Sequence, residues 1–142
     1  MADSWFPSEP PVSPDAAYGY ELDEDGSLAR EEPLVCTLQS AGGLWSTGPD
    51  LARFGAGWRT LLPAGLAGEA LRPHVPRRDV AEETGLGWAL RRPVDAAGLA
   101  GIGPGWAASL IMRPSTGRTV VVLTNRLVTV LALNVELIRS AT

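Results

Sequence analysis

Two adjacent apolar segments with different periods set the tightest limit on how this chain folds. In residues 106–113, Trp106, Ala108, Leu110 and Met112 alternate with Ala107, Ser109, Ile111 and Arg113, the pattern of a strand with two distinct faces. Pro114-Ser115-Thr116-Gly117 has the composition of a turn. Beyond it, Val120-Val121-Val122-Leu123 does not alternate, so this strand expects cover on both faces and along both edges. Upstream, Leu86, Trp88 and Leu90 alternate with Gly87, Ala89 and Arg91, predicting an earlier half-buried strand. Downstream, residues 127–140 gather Thr129, Glu136 and Arg139 near one side with leucines and valines elsewhere, which predicts a helix lying on the sheet. The expected unit is α/β (α+β): three antiparallel strands with a C-terminal helix on one face, the other face and the Val-rich edge left open. Open apolar edges invite pairing with other chains, so either a missing N-terminal portion or a protein partner along the exposed sheet is expected.

The preceding residues divide into two stretches. Residues 1–17 are rich in Pro, Ser and Asp and read as an irregular leading segment. Residues 18–84 read as a hairpin followed by helices, and 85–142 hold the sheet and last helix. Tyr18 to Leu22 is a short predicted strand turned by Asp23-Glu24-Asp25-Gly26. In Ser46-Thr47-Gly48-Pro49-Asp50, Thr47 can cap a helix and Asp50 can answer it in a capping box. Leu51, Phe54, Trp58, Leu61 and Leu62 then form one stripe on a helix over about 48–62, with a second short helix over 66–71 before Pro73. One domain accounts for 142 residues.

Composition removes several functions. All 12 basic residues are arginine, so no mechanism can use a lysine of this chain as base or Schiff-base former. Net charge is −4, and no Arg cluster exceeds a pair, which argues against nucleic acid as a partner. Cys36 stands alone and no metal-ligand spacing surrounds it, so neither metal nor cofactor is expected. Residues 1–14 lack the basic start and apolar core of an export signal, and the longest apolar run, 127–133, is too short to span a bilayer. His74 sits in a proline-flanked loop and reads as surface. Gly98, Gly101, Gly103 and Gly105 do not form a nucleotide loop, the acidic residues 21–25 do not have the spacing of a calcium loop, and Ser46 and Thr47 are explained by capping.

Ala41-Gly42-Gly43-Leu44-Trp45-Ser46-Thr47-Gly48-Pro49-Asp50-Leu51-Ala52-Arg53-Phe54 resembles the Gly-Gly-Leu-x-Ser-Thr-x-x-Asp-Leu-x-x-Phe signature of the β-lactamase-related serine hydrolases, which include class C β-lactamases, D-alanyl-D-alanine carboxypeptidases and related esterases. Gly85-Leu86-Gly87-Trp88 is similar to that family's Gly-Leu-Gly-Trp strand. Pro104-Gly105-Trp106, Pro114, Gly117 and Val121-Val122-Leu123-Thr124-Asn125 resemble its closing hairpin, and Met1 to Trp5 the segment after its Pro-Leu-Gly-Met element. The resemblance covers the family's C-terminal part and implies amide, lactam or ester hydrolysis through an acyl-serine in the complete protein. The nucleophile motif Ser-x-x-Lys cannot occur without lysine, and no Tyr-x-Asn is present, so no catalytic side chain is expected in this chain.

Counting back from Gly105-Trp106, the resemblance places the third motif, Lys-Thr-Gly or His-x-Gly in the family, at Leu99-Ala100-Gly101. It places one of two oxyanion-hole donors at the N–H of Ile102. Leu99 and Ala100 supply neither charge nor hydroxyl. Two readings follow: a hydrolase that works with a reduced third motif, or a non-catalytic remnant that serves as an interaction module.

Overall fold

The computed structural model describes residues 1–9, 15–33, 35–76, 83–127 and 130–140. A hairpin of β1 (Tyr20–Leu22) and β2 (Leu28–Arg30) comes first, then α1 (Gln39–Gly42), α2 (Gly48–Gly57), a 3-10 turn (Trp58–Leu61) and α3 (Ala64–Ala70). Six strands follow: β3 (Val75–Pro76), β4 (Glu83–Thr84), β5 (Ala89–Arg91), β6 (Ala96–Gly103), β7 (Trp106–Met112) and β8 (Thr119–Thr124), with α4 (Val130–Ser140) last. The sheet order is the chain order, β3 to β8, and each neighbouring pair is antiparallel.

The expected parity of β7 is present. Leu110 and Met112 join Trp58, Trp88, Leu90 and Ala97 in one core, while Ile111 packs with Ala96 and Ile138 in another. The first core lies under α2. Thr47, in extended backbone, accepts the Asp50 N–H on its Oγ1 at 3.3 Å, and Pro49 occupies the first turn, where its missing donor costs nothing. Leu51, Phe54 and Trp58 point at the sheet. Trp88 meets Trp58 with ring centres 4.9 Å apart and stacks on Phe54. The indole N–H of Trp58 donates to Met112 Sδ at 2.9 Å. α4 covers the opposite face through Ile138 and Val135, and Arg113 from the end of β7 donates to the Ile138 carbonyl in its last turn.

Several expectations need correcting. Among the described residues the sheet has six strands rather than three, because the small-residue stretch 96–103 is itself a full strand, and β3 and β4 extend the sheet beyond β5. The face opposite the C-terminal helix is not open: α2, the Trp58 turn and α3 cover it. Leu86 is 54% exposed in a bend where Gly87 has φ +77°, so the regular strand starts only at Ala89. The apolar stripe of α2 ends at Trp58, since tightening to a 3-10 turn rotates the period and leaves Leu61 70% exposed. Among the described residues β8 is a terminal strand, not a central one. The hairpin is formed as expected, with Gly26 at φ +82°. Thr129 and residues 10–14, 77–82 and 141–142 lie outside the described residues, as does part of the leading segment with them.

The capping box is half formed. The Asp50 carboxylate does not reach back to the helix start. Fully buried, it accepts from the Asp3 N–H and Ser4 Oγ, both at 2.8 Å, and from Arg53 at 2.7 Å. Ser4 Oγ is also 2.7 Å from Ser46 Oγ, and Trp5 pairs backbone to backbone with Trp45. Residues 3–5 are thereby fixed to the start of α2.

Candidate functional site

Leu99, Ala100, Gly101 and Ile102 are consecutive residues of β6, so the strand itself brings them together. On one side β6 pairs with β7 through to Gly103↔Trp106. On the other side pairing with β5 stops at Ala89↔Gly98, so residues 99–103 form a free strand edge among the described residues. Pro104-Gly105 closes the β6–β7 hairpin as a two-residue loop, in which the closing pair exchanges its hydrogen bonds. Alternation from that pair directs the N–H and C=O groups of Ala100 and Ile102 away from β7, toward the free edge. Gly98, of the same parity, spends its groups on β5.

The side chains leave this edge accessible. Leu99, 48% exposed, shares a face with Leu110 and the α2 side of the sheet. Ile102, 75% exposed, lies on the other face opposite Ala107. At Gly101 no atom lies within 4 Å of where a Cβ would stand. The strip can offer backbone donors to a carbonyl oxygen and apolar contact from Leu99. It carries no acid, base or nucleophile.

The nearest hydroxyls do not change that. Ser109 is opposite Ala100 but buried to 3% exposure beneath α4, its Oγ without a partner among the described residues. Ser4 is engaged by Asp50, and Ser46 by Ser4. His74 is on the surface as expected, and its ring also approaches Glu69, 3.3 Å from Oε1, a carboxylate that sequence spacing did not single out. A shallow cavity of 330 Å³ is lined by Arg59, Ala67, Gly68 and Leu71 and by none of residues 99–102.

What sequence reasoning missed is the scaffold behind the hairpin tip. The Gly105 N–H donates to Glu21 Oε1 at 2.8 Å, and the Tyr20 N–H donates to the Asn125 carbonyl at 2.9 Å. Gly19 and Gly105 interlock: a Cβ on Gly19 would lie 2.7 Å from Trp106 Nε1, and one on Gly105 would lie 2.6 Å from the Tyr20 nitrogen. Trp106 meets Trp45 edge-on at 5.5 Å, and Trp45 leans on Trp5 at 6.3 Å. The only sequence signal was the pair of glycines beside aromatic residues, which does not name its partners.

The family model described as Beta-lactamase matches residues 1–141. The chain belongs to the β-lactamase family. Among solved structures it is similar to a penicillin-binding protein from Bacillus halodurans, at TM-score 0.77 and 23% identity over 97% of this chain and 44% of that one. It is also similar to the octameric penicillin-binding protein homologue from Pyrococcus abyssi, at TM-score 0.75 and 22% identity over 89% of this chain and 31% of that one. No curated protein matches. At these identities the structures establish the fold, and the chain spans less than half the length of either. The mixed α/β architecture with an antiparallel sheet is that of penicillin-binding protein relatives, and the family is that of the serine hydrolases related to β-lactamase.

Proposed function

We propose that this chain is the C-terminal portion of an acyl-serine hydrolase acting on an amide, lactam or ester, and that alone it does not catalyse hydrolysis. The free edge of β6 carries this reading: the Ile102 N–H faces outward where the family places an oxyanion donor, flanked by Leu99, Ala100 and Gly101. A nucleophile presented to that edge by another portion of polypeptide would find a donor for the negative oxygen of its tetrahedral intermediate. The partner would dock along β8. By the same alternation, the backbone groups of Thr119, Val121 and Leu123 turn away from β7, toward an uncharged edge with helices packed on both faces of the strand. Such an edge fits an added strand.

A chromogenic ester and a serine-directed fluorophosphonate test the reading. The chain alone should give no turnover above buffer and no labelling; hydrolysis by the chain alone would overturn it. A longer natural product containing this chain should label at a serine outside these residues. The size of the endogenous protein, blotted with an antibody against α4, separates the possibilities.

One observation favours a second reading as a non-catalytic module. An exposed leucine, Leu99, stands where the family's third motif has Lys or His. Leu99→His in the longer protein should raise ester turnover if the reduced motif limits the rate. A native product of only 142 residues would support the module instead.

A further inference from the structure

We infer that Glu21 is a positioning residue for the β6–β7 hairpin, holding its tip and thereby the outward N–H of Ile102; this rests on the oxyanion role given to Ile102 above. Pro104 fixes its own φ near −65° and Gly105 sits at φ +69°, which together make a type II turn. Two-residue hairpins favour types I′ and II′, because the backbone twist of types I and II runs against that of the strands and splays them. The turn also leaves one donor unused. Gly103 and Trp106 form the closing pair, while the Gly105 N–H projects out of the turn and can be satisfied only from outside. Glu21 supplies the acceptor at 2.8 Å across 84 residues of sequence.

The contact is held from several directions. Glu21 belongs to β1, and the N–H of its neighbour Tyr20 donates to the Asn125 carbonyl after β8 at 2.9 Å and, at the longer distance of 3.4 Å, to the Gly105 carbonyl. Gly19 fits against Trp106 with no room for a side chain, and Trp106 rests on Trp45. The hairpin tip is thus clamped between β1 and the start of α2. On the opposite side of the hairpin, residues 99–103 lack the β5 pairing that steadies residues 96–98. A strand edge held by one neighbour depends on its turn for register and tilt, and Ile102 is one residue from the closing pair.

The test is backbone NMR relaxation on the full chain. In Glu21→Ala, amide order parameters at Gly101, Ile102 and Gly103 should fall from the rigid range near 0.85 toward about 0.6. The amides of α2 and β8 should keep their values. Glu21→Gln retains an acceptor oxygen and should restore order at all three residues. Unchanged order in a folded Glu21→Ala protein would overturn the inference, as would an equal loss in Glu21→Gln. If the alanine variant does not fold, wild-type exchange decides. The Gly105 amide should exchange at least about tenfold more slowly than an exposed turn amide, as a charge-assisted hydrogen bond implies; exchange at the exposed rate would overturn the inference. No turnover enters these readouts, so failure of the longer protein to hydrolyse esters would remove the role of Ile102 and leave the result on Glu21 standing.

Discussion

Alanine at Gly55 and alanine at Gly57 are the same substitution in the same helix, yet their effects should have opposite signs. Each replaces glycine in α2 and gains up to about 1 kcal/mol of helix propensity. Gly57 has φ −109° and open space around its Cβ position, so it keeps that gain. Gly55 is buried where α2 crosses the start of β8. Its added carbon would stand 2.3 Å from Thr119 Cγ2, 2.8 Å from Oγ1 and 3.1 Å from Cβ, where carbon atoms rest at about 3.5–4.0 Å. Threonine branches at Cβ, so rotating χ1 exchanges one clash for another and the helix must lift. Overpacking of this kind costs about 1–3 kcal/mol, which leaves Gly55→Ala less stable by about 1 kcal/mol net. At this chain length, that lowers Tm by about 4 °C, and Gly57→Ala should raise it by a few degrees on the same scale. Scanning calorimetry or circular dichroism melts read both. Thr119→Ala removes the two nearest atoms, so in that background Gly55→Ala should lose most of the clash and keep its propensity gain, a coupling of about 1–2 kcal/mol in a double-mutant cycle. Stabilisation by Gly55→Ala matching that by Gly57→Ala, or a penalty that survives in Thr119→Ala, would refute the clash with Thr119.

The Asp50 carboxyl gives a pH dependence. Burial pushes its pKa up, but hydrogen bonds from Ser4 and the Asp3 N–H, the amino-terminal charge and Arg53 together hold it below the ordinary 3.8. Its contribution is therefore complete above pH 3.8 and lost as pH falls through the lower folded value. Urea midpoints of wild type and Asp50→Asn should differ most at neutral pH and converge toward the acid end; a constant difference would refute the assignment. Burial separates two further positions. Ile111→Ala, at a fully buried residue, should cost about 2–5 kcal/mol in urea unfolding, whereas Leu99→Ala on the exposed edge should stay within about 0.5 kcal/mol.

Sequence pattern located elements whose own side chains decide their state. The stripe Leu51, Phe54, Trp58 behind Thr47 marks α2, and the parity of Trp106 to Met112 assigns β7 to two cores. It misjudged elements that neighbours decide. Ala96 to Gly103 has almost no β-forming side chains, and it is a strand because β5 and β7 lie beside it. Leu86 matched the alternation but falls before a left-handed glycine. The candidate strip was placed by the family resemblance, counting back from Gly105-Trp106, and by no period of residues 99–102 themselves. Its support by Glu21, and the binding of residues 3 and 4 by Asp50, were not legible, because hydrogen bonds across 84 and 46 residues leave no local period.

Because sheet order equals chain order, β3 to β8 can assemble by zipping each strand onto the one just made, and every closure is a short loop. The straps that secure the result are long-range: Asp3 to Asp50 spans 47 residues and Glu21 to Gly105 spans 84. Long closures carry more entropy and form late. Contacts made after the folding barrier govern how fast the native state comes apart rather than how fast it forms. On that ground the amino-terminal straps should govern the lifetime of the fold and of the strand edge rather than its rate of formation: Glu21→Ala should speed unfolding more than it slows refolding in stopped-flow kinetics.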